Sequence, residues 1–285
     1  MESITSRDNR AIKEYVKLRE SRAFREKQGM YVIESVKLVQ EALQSGVIFE
    51  KVFVTQPSLT KHYAALQRLF DRTQDNAKHA KIYTITEDLE HKMTLTGNAQ
   101  GLFAVCKMLD KPHEFATIEN NGKGGQLETR LFQENEISSG KYIFLEQLQD
   151  TGNVGTILRT AEALGLDGVI VSKNTCDRYS LKVLRASMGA VFRVKIYQSE
   201  DTCADLQNLS KRFTTYAAVL DAGAPSLVSI QFPPNSIVVI GNEGNGLPQE
   251  VIAACTQTVT IAMQGNAESL NASMAAGILM WEMMR

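Results

Sequence analysis

A chain of 285 residues with 44% apolar composition can bury one large core or two medium ones, and its length favours two domains. A formal net charge of −1 excludes a uniformly basic nucleic-acid binder. The polar start MESITSRDNR lacks an apolar signal core, and no run approaches the roughly 18 apolar residues of a membrane span, so a cytoplasmic protein without membrane partners is expected. Four cysteines, Cys106, Cys176, Cys203 and Cys255, show no C-x-x-C spacing, which disfavours a zinc site and a disulfide framework alike.

The first thirty residues lean basic, with Arg7, Arg10, Lys13, Lys17, Arg19, Arg22, Arg25 and Lys27. From Met30 the predicted elements alternate: a strand MYVIE, an amphipathic helix SVKLVQEALQSG closed by Gly46, and a strand FEKVFVT. A helix over 57–72, a strand KIYTIT, a short helix EDLEHKM and a strand GLFAVCK complete an α/β unit over 1–107. Residues 108–140, rich in Gly, Asn and Glu and without periodicity, read as a linker or an exposed hairpin. A second α/β run follows over 141–285. It opens with YIFLEQL, a helix over 154–164, GVIVSK, a helix over 181–188 and RVKIYQ. A helix over 202–212, apolar runs TTYAAVL and SIVVIG, a short helix over 248–255, a strand TVTIAM and a helix from 269 to the end complete it. Near-continuous apolar strands separated by helices predict a parallel sheet covered on both faces, with ligands beyond the carboxyl ends of the strands.

Three loops after such strands carry the polar residues. In GNEGNGLP the outer glycines have the spacing of a triphosphate loop, but Leu247 and Pro248 stand where Lys and Ser/Thr are needed, so no charge meets terminal phosphates and no hydroxyl meets magnesium. The dinucleotide fingerprint fails too, because the glycines run G-x-x-G-x-G. In EQLQDTGNVGTILRTAEALG, Gly152 and Gly155 permit a tight turn, Asn153 can cap the next helix, and Arg159 lies one to two turns along it. A capped helix with a solvated arginine is the plain alternative. In IAMQGNAESLNASMAAGILMWEMM, Ser269 and Asn271 precede a helix of small residues, suited to close ligand approach or to a tight helix seam. All four histidines, His62, His79, His91 and His113, precede this half, so it can form no Ser-His-Asp triad, and H-E-x-x-H is absent. The side chains that remain suit positioning and group transfer from an activated donor better than metal-assisted hydrolysis.

In this order and at these distances the three loops resemble the motifs of the SpoU/TrmH branch of the SPOUT RNA ribose 2′-O-methyltransferases. The family's N-x-G-x-x-x-R-T is matched by Asn153, Gly155, Arg159 and Thr160, and its G-x-E-G-x-G-L by Gly241, Glu243, Gly244, Gly246 and Leu247. Its third motif, a strand ending I-x-M followed by E-S-L-N, is matched by Ile261, Met263, Glu268, Ser269, Leu270 and Asn271. The stretch LRASMGAVFRV over 184–194 also resembles the family. More faintly, the start of the chain is similar to the ribosomal-protein-like RNA-binding domain of many members, with Glu34-Ser35 where they usually have Glu-Gly, a substitution that bears on a backbone turn.

The resemblance implies an α/β fold: a parallel-sheet SPOUT domain with a deep trefoil knot at its C-terminal end, preceded by a smaller α/β RNA-binding domain. It implies methylation of a ribose 2′-hydroxyl in structured RNA, ribosomal RNA ahead of transfer RNA; a non-catalytic RNA-binding protein is the alternative of another class. S-adenosylmethionine is the implied donor, held by Leu220, Gly241, Asn242, Glu243, Gly244, Ile261, Met263, Ser269 and Leu270. The implied catalytic set is Arg159, Asn153, Glu243, Ser269 and Asn271, with Arg159 on the phosphate beside the acceptor and Glu243 the candidate base. Arg7, Arg10, Arg22 and Arg25, with Arg159, are the implied RNA contacts. A homodimer joined partly through the last helix is expected, and no metal.

Overall fold

The computed structural model describes residues 1–74, 80–95, 97, 99–109 and 137–285. Most of the expected linker, 110–136, lies outside the described residues, as do His79 and His113. The chain divides into two compact units, Met1–Gln126 with Tyr179–Arg185, and Leu127–Arg178 with Ala186–Arg285.

The first unit opens with elements that periodicity did not announce: β1 (Glu2–Ile4), α1 (Arg10–Glu20) and α2 (Arg22–Gln28). Asn9 caps α1 by accepting from the Ala11 amide, and Ala11, Ile12, Tyr15 and Leu18 form its buried stripe. Ser21 ends α1 and caps α2, and Gly29, at φ 62°, closes it. There follow β2 (Met30–Glu34), α3 (Val36–Gln44), β3 (Phe49–Thr55), α4 (Gln56–Gln74), β4 (Lys81–Ile85), α5 (Glu87–Met93) and β5 (Leu102–Lys107). The sheet runs β1-β4-β3-β5-β2. Pairings with β4 are parallel and those with β5 antiparallel, because β5 alone reverses direction. Tyr15 packs edge-on against Phe53 and Phe103 at 5.9 and 5.7 Å, which locks α1 to the sheet. Ser35, at φ 102° and ψ 148°, occupies backbone space that favours glycine while its hydroxyl caps α3.

The second unit holds β6 (Lys141–Leu145), α6 (Thr151–Leu164), β7 (Gly168–Ser172), β8 (Ile196–Ser199), α8 (Thr202–Leu209), β9 (Thr214–Ala218), β10 (Ser236–Ile240), α9 (Gln249–Ala254), β11 (Gln257–Val259) and α10 (Ala272–Met284); the short α7 (Leu181–Ala186), between β7 and β8 in the sequence, falls to the first unit up to Arg185. All six strands are parallel, in the order β11-β9-β10-β6-β7-β8. β7 and β10 are buried along their whole length, as a sheet covered on both faces requires. One side of the core gathers Tyr142, Phe144, Ile170, Ile237 and Val239 of the strands under Leu206, Leu209 and Val251 of α8 and α9. On another, α10 packs against α6, β6 and β10.

Several boundaries differ from the sequence reading, and two of them bear on the site. β11 stops at Val259, short of Ile261 and Met263, because the strand it pairs with, β9, ends at Ala218. α6 starts three residues before the expected 154, at Thr151, because Asp150 and not Asn153 is the cap: its side chain accepts from the Asn153 amide at 2.8 Å. Among the described residues no helix is long and apolar enough to cross a membrane.

Candidate active site

Every candidate residue of the second unit lies in α6 or in a loop after the carboxyl end of one of four consecutive strands, β11-β9-β10-β6, or at the head of α10. That edge is where an open parallel sheet binds ligands. Leu220 follows β9, Ile261 and Met263 follow β11, Gly241–Gly246 follows β10, and Asn153 and Arg159 sit on the helix after β6.

A chain of hydrogen bonds gathers the three motifs. Asn271 caps α10 through its oxygen, accepting from the Ser273 and Met274 amides, and its nitrogen donates to Asn153 Oδ1 at 2.9 Å. Asn153, buried in the first turn of α6, donates onward to Glu243 Oε1 at 3.2 Å. The Glu243 carboxylate also accepts the amides of Gln149 at 3.1 Å and Asp150 at 3.0 Å. Partial burial opposes its charge, yet bonds from the amides of Gln149, Glu243 itself and Asp150 and from the Asn153 side chain win, and hold the carboxyl below its ordinary range. A carboxylate so occupied is a poor proton acceptor and a good clamp.

A second clamp lies beside the first. Asn242 Nδ2 donates to the Gln147 carbonyl at 2.8 Å, while Asn242 Oδ1 accepts the amides of Gly244 and Asn245 at 3.0 and 3.2 Å. The Asn242 side chain is therefore spent on its own loop, and its backbone amide and carbonyl pair with Gly246 at 3.0 and 2.9 Å, so the residue serves to close the loop. Gln147 itself is held in the left-handed region at φ 55°. A side chain on Gly241 would run into the carbonyl group of Gly246, so this glycine is required by the loop's own closure, whereas Gly244 faces open space save for Asn242 Oδ1 at 3.6 Å.

Arg159 is exposed and has no hydrogen-bond or ion-pair partner among the described residues. It lies six residues beyond Asn153, about 9 Å along the axis of α6. Gly152, Thr156 and Ala163 share its exposed helical face. Ser269 is exposed and Leu270 half-buried next to the cap Asn271. Leu220 is 72% exposed, a large apolar side chain left open at the strand ends. Among the described residues no group of three or more His, Cys, Asp or Glu side chains could hold a metal ion.

The N-terminal arginines fare differently. Arg25 cannot meet RNA: it is 4% exposed and its guanidinium is turned inward onto the carbonyls of Leu18 and Arg19, at 2.5 and 3.0 Å, across the α1–α2 turn. Arg7 pairs with Asp88 and Arg22 with Glu26, both on the surface, while Arg10 stands exposed without a partner among the described residues. Sequence reasoning passed over Asp150, Gln147 and Gln149. Of these Asp150 carried a signal, since Asp is as good a cap as Asn.

Residues 140–281 match the SpoU rRNA Methylase family and residues 9–104 the MRM3-like substrate binding domain. The chain is 30% identical to an uncharacterized tRNA/rRNA methyltransferase of Synechocystis sp., over 99% of this chain and 93% of that protein. It is 26% identical to the 23S rRNA (guanosine(2553)-2′-O)-methyltransferase RlmP of Bacillus subtilis, over 99% of both chains. The AdoMet-bound rRNA methyltransferase from Sinorhizobium meliloti superposes with a TM-score of 0.78 at 25% identity, covering 99% of this chain and 97% of that one. The fold and the joined motifs thus define an RNA methyltransferase with the SPOUT fold. The chain belongs to the SpoU rRNA methylase family.

Proposed function

We propose that this chain transfers a methyl group from S-adenosylmethionine to a ribose 2′-hydroxyl of ribosomal RNA, and that its first unit binds that RNA. The observation that carries the reading is the Asn271–Asn153–Glu243 chain, which ties all three motif loops together on the helix that bears an unpaired Arg159. The residues fit the donor. Incompletely buried Leu220, Ile261, Met263 and Leu270 offer apolar contacts to a nucleoside, and Gly244 presents bare backbone. Bound S-adenosylmethionine supplies an electrophilic methyl group on a sulfonium centre.

The protein's part is positioning. A guanidinium keeps its proton, so Arg159 binds the neighbouring phosphate and stabilises the charge that develops on the 2′-oxygen as the hydroxyl proton passes to water and the methyl group leaves the sulfonium. Glu243, held ionised by four donors, fixes the glycine loop to the head of α6. Asn153 and Asn271 transmit that position to α10, and the Ser269 hydroxyl, without a partner among the described residues, is left to contact the ligands. The 26% identity to the 2′-O-specific RlmP and the substrate-binding match over 9–104 support the choice of ribose and of ribosomal RNA. Such a substrate accords with the cytoplasmic location expected from the sequence.

The same reading includes a homodimer and a knotted C-terminal segment. α10 is apolar on every side, and Met274, Ile278 and Trp281, at i, i+4 and i+7, leave an exposed stripe, with Met274 60% and Trp281 62% accessible. A second copy of the chain is the occupant that fits it. Insertion of β10 between β9 and β6, followed by the return of α10 onto β6 and α6, supports the knot.

The direct test is incubation with methyl-labelled S-adenosylmethionine and bacterial 23S ribosomal RNA, followed by alkaline hydrolysis. Label in alkali-resistant dinucleotides is expected, since a 2′-O-methyl group blocks cleavage. Label in mononucleotides would move the reaction to a base, and label on transfer RNA alone would move the substrate.

A further inference from the structure

Residues 179–185 lie in the sequence between β7 and β8 of the second unit, yet they pack with the first. Tyr179 anchors the segment there. Its ring stands 4.7 Å from that of Tyr31 on β2, and its hydroxyl accepts the Leu109 amide at 3.0 Å. In α7 the side chains of Leu181, Val183 and Leu184 are buried, whereas Lys182 and Arg185, three residues apart and so on one helical face, are exposed. Neither has a hydrogen-bond or ion-pair partner among the described residues.

The contrast with the basic N-terminal segment is informative. There Arg7, Lys13, Arg19 and Arg22 each face a carboxylate, of Asp88, Asp8, Glu20 and Glu26 respectively, and Arg25 is turned inward, which leaves only Arg10, Lys17 and Lys27 of the eight without a carboxylate among the described residues. Charges neutralised within the fold release few counterions when RNA arrives, because each phosphate contact must first break an ion pair. Lys182 and Arg185 repel each other until an anion sits between them, and their binding to phosphate breaks nothing.

We propose that α7 is an RNA-backbone contact of the substrate-binding unit, in which Lys182 and Arg185 hold phosphates. The proposal rests on the RNA methyltransferase reading and adds to it a surface outside the residues that match the substrate-binding family.

The test measures binding of deproteinised 23S ribosomal RNA to the full chain from about 50 to about 200 mM salt. Removing both cations, Lys182→Ala with Arg185→Ala, should make the slope of log affinity against log salt shallower by roughly 1.4–1.8, at about 0.7–0.9 per phosphate contact. Arg185→Lys in the single variant should keep the full slope. Lys211→Ala, which removes one charge at an exposed residue bonded to Asn208, should leave it unchanged. S-adenosylmethionine affinity, measured by calorimetry, should be the same in all of them. A wild-type slope in the double variant overturns the proposal, and so does a loss of half that size in Lys211→Ala, which removes half the charge and would reduce the effect to net charge. Wild-type protein that binds no donor and transfers no methyl group would instead overturn the methyltransferase reading.

Discussion

Ser35 occupies φ 102°, ψ 148°, backbone space that favours glycine, and Ser35→Gly should stabilise the first unit. The left-handed side of the backbone map costs a non-glycine residue about 1–3 kcal/mol. Two terms offset the relief. The Ser35 hydroxyl accepts the Leu38 amide at 3.3 Å, and exchanging a serine cap for glycine costs only a few tenths of a kcal/mol. Glycine also frees the unfolded chain by about 0.4–1 kcal/mol. The net gain is then roughly 1 kcal/mol, or about 4 °C for a unit of this size. Calorimetry of the full chain is the assay, with fluorescence of Trp281 as an internal reference, because the single tryptophan lies in the other unit and should report no change. Ser35→Ala, which keeps the strain and loses the cap, should instead be destabilising by about 1 kcal/mol. A lower melting temperature for Ser35→Gly would refute the reasoning, since it would mean that the backbone is held there at no cost.

Other expectations concern the site. Asn271→Asp keeps a good helix cap but replaces the donor to Asn153 by an oxygen, so stability should hold while kcat/KM falls roughly ten-fold or more, about the worth of one hydrogen bond in a charged network; equal losses of both would make Asn271 merely structural. Gly241→Ala forces a methyl group into the Gly246 carbonyl and should abolish donor binding measured by calorimetry. Because the Glu243 carboxyl is held below its ordinary value, its stabilising contribution is complete above that ordinary value and is lost only as pH falls through the lower, folded one. Donor affinity should therefore be flat through neutral pH with an acid limb below the usual carboxylate range, and Glu243→Gln should weaken binding and remove that limb. An acid limb that survives the substitution would assign it to another group.

Much of the architecture is legible in the residues, and the failures have identifiable causes. β2, β3 and α5 follow their apolar runs and caps to the residue, because Gly, Thr and the alternation of charge mark both ends. The strand read over TVTIAM is too long since its apolar spacing continues after the neighbour that must pair with it has ended. α1 and α2 hide among charges, and only burial of Ile12, Tyr15 and Leu18 at helical spacing reveals α1. Two cap-forming residues, Asp150 and Asn153, stand three apart, and spacing alone cannot choose between them. The role of Glu243 was beyond sequence reasoning because its donors lie some ninety residues upstream; as a lone glutamate among glycines it reads equally well as a base. Nor does a run of basic residues say which arginine turns inward, as Arg25 does.

The central claim is that the joined loops hold a methyl donor while Arg159 acts on the acceptor. It is tested most directly by comparing Arg159→Ala with the wild type for donor affinity by calorimetry and for single-turnover methylation of 23S ribosomal RNA. The account predicts unchanged affinity for S-adenosylmethionine and a transfer rate lower by roughly 10²–10³-fold, the typical loss for a group that stabilises developing charge. A variant that keeps most of its transfer rate, or that loses the donor instead, would contradict it.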